Sequence, residues 1–163
     1  MAYGSRHPGG ETADGGAVDG AVDGADAVLL AIPAGGVDEL LAEHAGAING
    51  HLVIDATNHI GAAVANAATQ IHKAAPDARY ARAFNTLGWE NFAHTEFEGV
   101  PADLFFSAAP ADRTLVEELS SAVGLRPAYL GQDKEGVVDG VLPLWLSLVQ
   151  ARGGNRRLAF RVL

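Results

Sequence analysis

The chain has 163 residues, of which 48% are hydrophobic, and this length and composition suit one globular domain with a sizeable core. Its formal net charge of -9 argues against nucleic acid as a partner, because an acidic protein repels phosphate backbones. The absence of cysteine excludes disulfides, thiolate catalysis and cysteine zinc sites. No apolar run is long enough to span a membrane and no signal-peptide pattern is visible, so we expect no membrane partner and a cytoplasmic location.

The first 26 residues contain one strand-like segment and a low-complexity stretch. "AYGSRHP" is typical of the end of a strand that runs into a polar loop, because Tyr3 favours a strand and Gly4 allows a turn. Residues 8–26 are rich in Gly, Asp and Ala, and "AVDGAVDGADA" is close to a four-residue repeat. This composition predicts a flexible surface loop, with a short helix over residues 17–22 as the alternative.

From residue 26 onward, apolar strands alternate with amphipathic helices. The segments "DAVLLAIP", "GHLVIDATN" and "ARYARAFNTLG" predict three buried strands. Between them, "GGVDELLAEHAG" and residues 61–75 predict helices.

The second half of the chain continues the alternation. "PADLFFSAA" and "LRPAYLG" predict two more strands, separated by a helix in "PADRTLVEELSSAVG". "DKEGVVDGVLPLWLSLVQARGG" predicts a long apolar helix bent at Pro143, and "RLAFRVL" a terminal strand or helix end. The pattern indicates an α/β fold with a mainly parallel sheet and flanking helices. We expect one domain over residues 1–131, with residues 132–163 forming a C-terminal helical extension packed on it.

Candidate ligand-binding residues follow from this fold class. Ligands of open parallel sheets bind at the carboxyl ends of the strands. The residues directly after the predicted strands are Ser5, Arg6, Pro33, Ala34, Thr57, Asn58, His59, Asn85, Thr86 and Gly131.

Ser5 and Arg6 form the pair with the clearest chemical reading. In dinucleotide-binding folds an acidic residue at the end of the second strand accepts hydrogen bonds from the ribose of NAD, whereas a hydroxyl and a guanidinium suit the 2'-phosphate of NADP. The alternative is a solvated arginine near the N-terminus.

Asn58 and Asn85 each offer a donor and an acceptor that could hold a nicotinamide amide or another planar ligand. The alternative is that each asparagine takes a turn position by bonding its own backbone. The six histidines have no metal-ligand spacing, and no catalytic dyad is apparent, so we predict neither a metal site nor a catalytic residue.

Five segments occur in the order seen in one protein family: "YGSR", "ADAVLLAIP", "LVIDATN", "ARAFNTL" and "LWLSLVQARGGNRRLAFRVL". The chain resembles the deazaflavin (coenzyme F-420)-dependent NADP oxidoreductases. The resemblance implies a Rossmann domain, nucleotide binding, and hydride transfer between NADP(H) and a deazaflavin. It further implies a 2'-phosphate site at Ser5 and Arg6, an adenosine and pyrophosphate side at Ile32, Pro33 and Ala34, a nicotinamide neighbour in Asn58, and a floor for the stacked rings at Phe84 and Asn85.

The sequence departs from this family at its start. The family opens with a strand, a GxGxxG turn and a helix that bind the pyrophosphate, and no GxGxxG occurs in this chain. We therefore expect a truncated Rossmann-like fold that lacks the first βα unit, with an unpaired sheet edge that pairing in a homo-oligomer would cover. Two alternatives remain open: a non-catalytic association module, and an NADPH-dependent reductase with another acceptor.

Overall fold

Apolar segments that alternate with helices form one main sheet in the computed structural model of the protein, which describes residues 3–4, 15–16 and 18–163. The strands are β1 (Tyr3–Gly4), β2 (Gly15–Gly16), β3 (Ala27–Leu30), β4 (Leu52–Asp55), β5 (Arg79–Arg82), β6 (Glu96–Phe97), β7 (Val100–Pro101), β8 (Asp103–Ala108) and β9 (Arg126–Tyr129). The helices are α1 (Val18–Val22), α2 (Val37–Ile48), α3 (Ala68–Ala74), α4 (Arg113–Ala122) and α5 (Glu135–Ala151), with short 3-10 turns at Ala34–Gly36 and Trp89–Ala93.

The main sheet has five strands in the order β3-β4-β5-β8-β9. Three of its strand pairs are parallel, and only the β5–β8 pair is antiparallel. The predicted fold class, a mainly parallel sheet with flanking helices, is therefore confirmed. Among the described residues, β3 has a strand neighbour on one side only, so it forms one end of this order.

Two apolar clusters cover the two faces of the sheet. Leu52 and Ile54 of β4 belong to one cluster, which includes residues of β8 and α4, whereas Val53 belongs to the other, with residues of α2 and α3. Alternate residues of a strand point to opposite faces. All four residues of β4 are buried, because helices pack on both sides of it.

The structure decides between two alternatives at one segment and corrects the predicted boundary of another. Residues 18–22 form the short helix that was the alternative to a loop, because Val22 is buried against α2 and supplies an apolar anchor. The helix predicted over residues 61–75 spans only Ala68–Ala74. Its start is fixed by polar acceptors, since the backbone N–H of Ala67 donates to Asp55 Oδ2 at 2.7 Å and that of Ala68 donates to Asn66 Oδ1 at 3.1 Å.

The short N-terminal strand does not belong to the main sheet. Tyr3–Gly4 pairs in parallel with Gly15–Gly16, outside the main sheet. A partner close in sequence costs less loop-closure entropy than a distant one.

Helix α5 continues through Pro143 and leads into a C-terminal segment without regular secondary structure. The predicted terminal strand or helix end is therefore wrong, although the segment still contacts the sheet. The N–H of Asp103 donates to the carbonyl of Phe160 at 3.0 Å, and Trp145 Nε1 donates to the carbonyl of Leu158 at 2.8 Å. No described helix is long and apolar enough to cross a membrane.

We expect Leu104→Ala to be strongly destabilising. Leu104 is fully buried in the cluster that contains β8, so its truncation leaves a cavity and lowers the free energy of unfolding by about 2–5 kcal/mol. Leu144→Ala is the matched control, because Leu144 is 52% exposed and its truncation should change stability by less than about 1 kcal/mol. Urea unfolding measures both, and equal losses would contradict the assignment of the core.

We expect the contact of the C-terminal segment with Glu90 to raise the free energy of unfolding by an amount that depends on pH. A hydrogen bond from Arg156 holds the pKa of the Glu90 carboxyl below its ordinary value of 4.5. Because the folded-state pKa is lowered, the contribution is present above pH 4.5 and disappears as the pH falls through the folded value. Both side chains are partly exposed, so Glu90→Gln should cost only about 0.2–1 kcal/mol at neutral pH and nothing in strong acid. Urea unfolding of both proteins across this range measures the difference, and a constant difference would refute the linkage.

Candidate functional site

The carboxyl ends of β3, β4 and β5 lie side by side at one edge of the sheet. Leu30 pairs with Asp55, and Asp55 pairs with Arg82, so the three strands end at the same level. The alignment continues past the strands, because the N–H of Ala56 donates to the Leu30 carbonyl at 3.1 Å and the N–H of Ala83 donates to the Asp55 carbonyl at 3.3 Å. The three following loops therefore leave from one edge, as parallel pairing requires.

Asn58 and Asn85, two of the predicted site residues, meet at this edge. Asn58 Nδ2 donates to the backbone carbonyl of Asn85 at 3.3 Å. Asn58 is half-buried and Asn85 is fully buried. The contact ties the loop after β4 to the loop after β5.

The other predicted residues occupy more varied places. Ile32 follows β3 and packs, half-buried, against the cluster of α2, while Pro33 is exposed and Ala34 begins a 3-10 turn that leads into that helix. Ser5 and Arg6 lie outside the described residues.

Phe84 has an unusual backbone conformation. Its φ of 63° lies in the left-handed region, which is strained for a bulky side chain and is often found at functional sites. Its ring is held against Phe92, with 6.2 Å between the ring centroids. The turn at Phe84 carries the chain from β5 into the buried residues Asn85 and Thr86.

Asn85 and Thr86 carry buried polar groups without internal partners. Both side chains are about 1% exposed. Within the described part of the chain, nothing hydrogen-bonds Asn85 Nδ2, Asn85 Oδ1 or Thr86 Oγ1. Each unmet group costs about 1–3 kcal/mol of desolvation, so such groups are rare in native structures outside functional sites. Thr86 follows a predicted strand, and its burial makes it a further candidate site residue.

A buried group of charged side chains, formed by Asp55, Arg82 and Asp139, contacts Asn58 through Arg82. Arg82 Nη1 is 3.3 Å from Asp55 Oδ1, and Arg82 Nε donates to Asp139 Oδ1 of α5 at 2.7 Å. Tyr80 donates its hydroxyl to Asp55 Oδ2 at 2.8 Å. Burial, together with the negative charge of Asp55, raises the pKa of Tyr80, so its hydroxyl stays protonated and continues to donate.

Sequence reasoning missed this charged group. The sequence nevertheless contained an indication of it. Both "LVID" and "ARYAR" place a charged residue at the end of an apolar strand, where burial is expected, and charged residues are rarely buried unless they are paired. Among residues 18–163, no group of His, Asp and Glu side chains is arranged to hold a metal ion.

Two solved structures share this architecture. A proposed F420-dependent NADP reductase from Arthrobacter sp. FB24 superimposes with a TM-score of 0.75 and 21% identity, over 91% of this chain and 74% of that one. A hypothetical protein, SMa0349 from Sinorhizobium meliloti, gives a TM-score of 0.58 and 26% identity, over 72% of this chain and 62% of that one. The fold is Rossmann-like. Neither protein-family models nor curated proteins match the sequence.

Thr86→Val tests whether the Thr86 hydroxyl lacks a partner. Valine keeps the shape and removes the unpaired group, so the free energy of unfolding should stay equal or rise. Ser107→Ala is the matched control, since Ser107 Oγ donates to the Gly131 carbonyl at 2.9 Å and accepts from the Lys134 N–H at 3.0 Å. That control should lose about 1–3 kcal/mol. Thermal unfolding compares the two variants, and an equal loss in Thr86→Val would mean that the hydroxyl is satisfied.

Proposed function

We propose that this protein is an NADP-binding oxidoreductase that transfers a hydride between NADP(H) and a deazaflavin (coenzyme F-420). The proposal is carried by one observation: Asn58 meets Asn85 at the carboxyl edge of a Rossmann-like sheet, where the Asn85 amide is buried and unpaired within the described residues. The likeness in fold to the Arthrobacter protein supports the same reading.

The chemistry of the edge fits a nicotinamide. A carboxamide carries one acceptor oxygen and two donor protons, and the unpaired Asn85 side chain offers the complementary acceptor and donors. Thr86 adds a hydroxyl beside it. In Rossmann-like folds dinucleotides lie across this edge of the sheet, so Asn58 and Asn85 are the residues that would hold the nicotinamide end.

The phosphates need local donors, because the chain as a whole is acidic. We assign the 2'-phosphate to Ser5 and Arg6, since a hydroxyl and a guanidinium bind phosphate oxygens well. Ile32, Pro33 and Ala34 lead into α2 through a 3-10 turn, in which the N–H of Gly36 donates to the Pro33 carbonyl at 2.9 Å and that of Val37 to the Ala34 carbonyl. The N–H groups of Ala34 and Gly35 are therefore the donors that we expect on the pyrophosphate side.

Hydride transfer needs positioning more than acid–base chemistry. The bound cofactors supply the hydride donor and the hydride acceptor. The chain's own part is to orient the nicotinamide amide through Asn58 and Asn85 and to keep water from the reacting face through the half-buried ring of Phe84. We assign residues 132–163 to an extension of the binding domain, and its helix α5 contacts β5 and β8.

Arg6→Ala should weaken binding of NADPH and leave binding of NADH unchanged. A charge-assisted hydrogen bond is worth about 1.5–3 kcal/mol, which is a loss in affinity of about 10- to 150-fold. Titration calorimetry with each dinucleotide measures this selectivity. Arg152→Ala is the matched control, because it removes the same charge from an exposed position at the end of α5 and should change neither affinity.

Equal losses for the two dinucleotides would remove Arg6 from the 2'-phosphate site. No binding of either dinucleotide by the wild type would refute the proposed cofactor. The choice of deazaflavin is tested separately, by mixing oxidised deazaflavin with NADPH and the protein and following the visible absorbance of the deazaflavin. Binding of NADPH without loss of that absorbance would mean that another acceptor takes the hydride.

A further inference from the structure

Arg82 is a buried side chain that makes several hydrogen bonds next to the candidate site. Its side chain is completely buried. Nη1 donates to the backbone carbonyls of Asp55 at 3.0 Å and Thr57 at 2.6 Å, and Nη2 donates to Asn58 Oδ1 at 3.2 Å. Nε donates to Asp139 Oδ1 at 2.7 Å. The guanidinium therefore joins the ends of two strands to helix α5.

The contact with Arg82 decides which way the Asn58 amide faces. A guanidinium has donors and no acceptor, so only the oxygen of the Asn58 carboxamide can face it. The Asn58 nitrogen is then turned toward the carbonyl of Asn85, which accepts one of its two protons. The second proton is left for a ligand, and Asn58 acts toward that ligand as a donor.

Asp139 in turn holds Arg82. One of its carboxylate oxygens accepts from Arg82 Nε, and the other accepts from Asn66 Nδ2 at 2.6 Å. The Asp139 side chain is only 13% exposed, so water screens this pair weakly. Since Asp139 lies on α5, the orientation of Asn58 depends on how α5 sits against the sheet.

We propose that Arg82 and Asp139 are positioning residues that fix Asn58 as a hydrogen-bond donor to the acceptor group of the bound ligand. The inference rests on the proposed function in one respect, namely that Asn58 contacts the dinucleotide. A purely structural ion pair would act differently. Its loss would lower stability, as breaking a buried pair does, without changing the Asn58 amide in particular.

The first test is made without ligand. In Asp139→Asn the size is kept and the charge that holds Arg82 is removed. The side-chain NH₂ signals of Asn58 are identified in amide correlation spectra by their absence in Asn58→Ala. We expect these protons to exchange with solvent at least about ten-fold faster in Asp139→Asn than in the wild type. The Asn49 amide, which donates to Asp77 at 3.0 Å, serves as the internal reference and should not change.

Asp112→Asn is the matched control variant. Asp112 is also a buried carboxylate paired with an arginine, but its partner Arg79 is the first residue of β5, whereas Arg82 is the last. We expect this variant to lose stability while the Asn58 signals stay as in the wild type. Unchanged Asn58 exchange in Asp139→Asn, or the same change in both variants, would overturn the proposal.

The second test measures affinity for NADPH in a double-mutant cycle. If Asp139 acts through Asn58, Asp139→Asn should weaken binding about five-fold or more in the wild-type background and cause no further loss in Asn58→Ala. Additive losses would overturn the proposal. If the wild type binds no NADPH, the proposed function fails. The exchange rate of the Asn58 side-chain protons then still decides whether Arg82 and Asp139 position Asn58.

Asn66→Ser is the milder variant to use if Asp139→Asn does not fold. This substitution removes the group that donates to Asp139 Oδ2. It keeps a side-chain oxygen near the N–H of Ala68, which in the wild type donates to Asn66 Oδ1. The same faster exchange at Asn58, smaller in size, is expected. Unchanged exchange in this folded variant would count against the proposal.

Discussion

The carboxyl edge of the sheet depends on one buried ion pair, that of Arg82 with Asp55. Removing two charges from water is costly, and hydrogen bonds must offset that cost. Asp55 uses both carboxylate oxygens. Oδ1 accepts from the backbone N–H and the hydroxyl of Thr57, and Oδ2 accepts from the N–H of Ala67 and the hydroxyl of Tyr80. One carboxylate thus sets the turn after β4 and the start of α3.

Because these hydrogen bonds hold the carboxyl edge in place, the neighbouring loop after β5 can keep unfavourable features. Phe84 has a positive φ, and the polar side chains of Asn85 and Thr86 are buried without partners in the described residues. Each feature costs free energy, and each persists only because the surrounding contacts hold it. These contacts preorganise the candidate site, because its polar groups are held in place without a ligand.

The fold class could be predicted from the sequence, since it follows from local patterns, and so could the strand ends at which the candidate site lies. Continuous apolar runs marked the buried strands, and the rule that ligands bind at strand ends gave a longer list of residues that includes Asn58 and Asn85. For Val18–Val22 the sequence left a choice between a loop and a short helix, because the helix lies in a repeat of small residues and has Val22 as its one buried residue. The contacts of Arg82 could not be predicted, since they depend on the pairing register of β4 with β5 and on a residue of α5 that is 57 positions away.

The contacts of the C-terminal segment bear on the order in which parts of the chain unfold. It contacts the sheet through bonds that span long stretches of chain, such as the one from the N–H of Val162 to Asp103 Oδ2 across 59 positions. Closing so long a loop costs entropy, and the segment itself is largely exposed. We therefore expect this segment to detach before the chain unfolds globally. Detachment would break the hydrogen bond from Trp145 Nε1 to the Leu158 carbonyl and expose the buried indole, so the fluorescence of Trp145 would report on it.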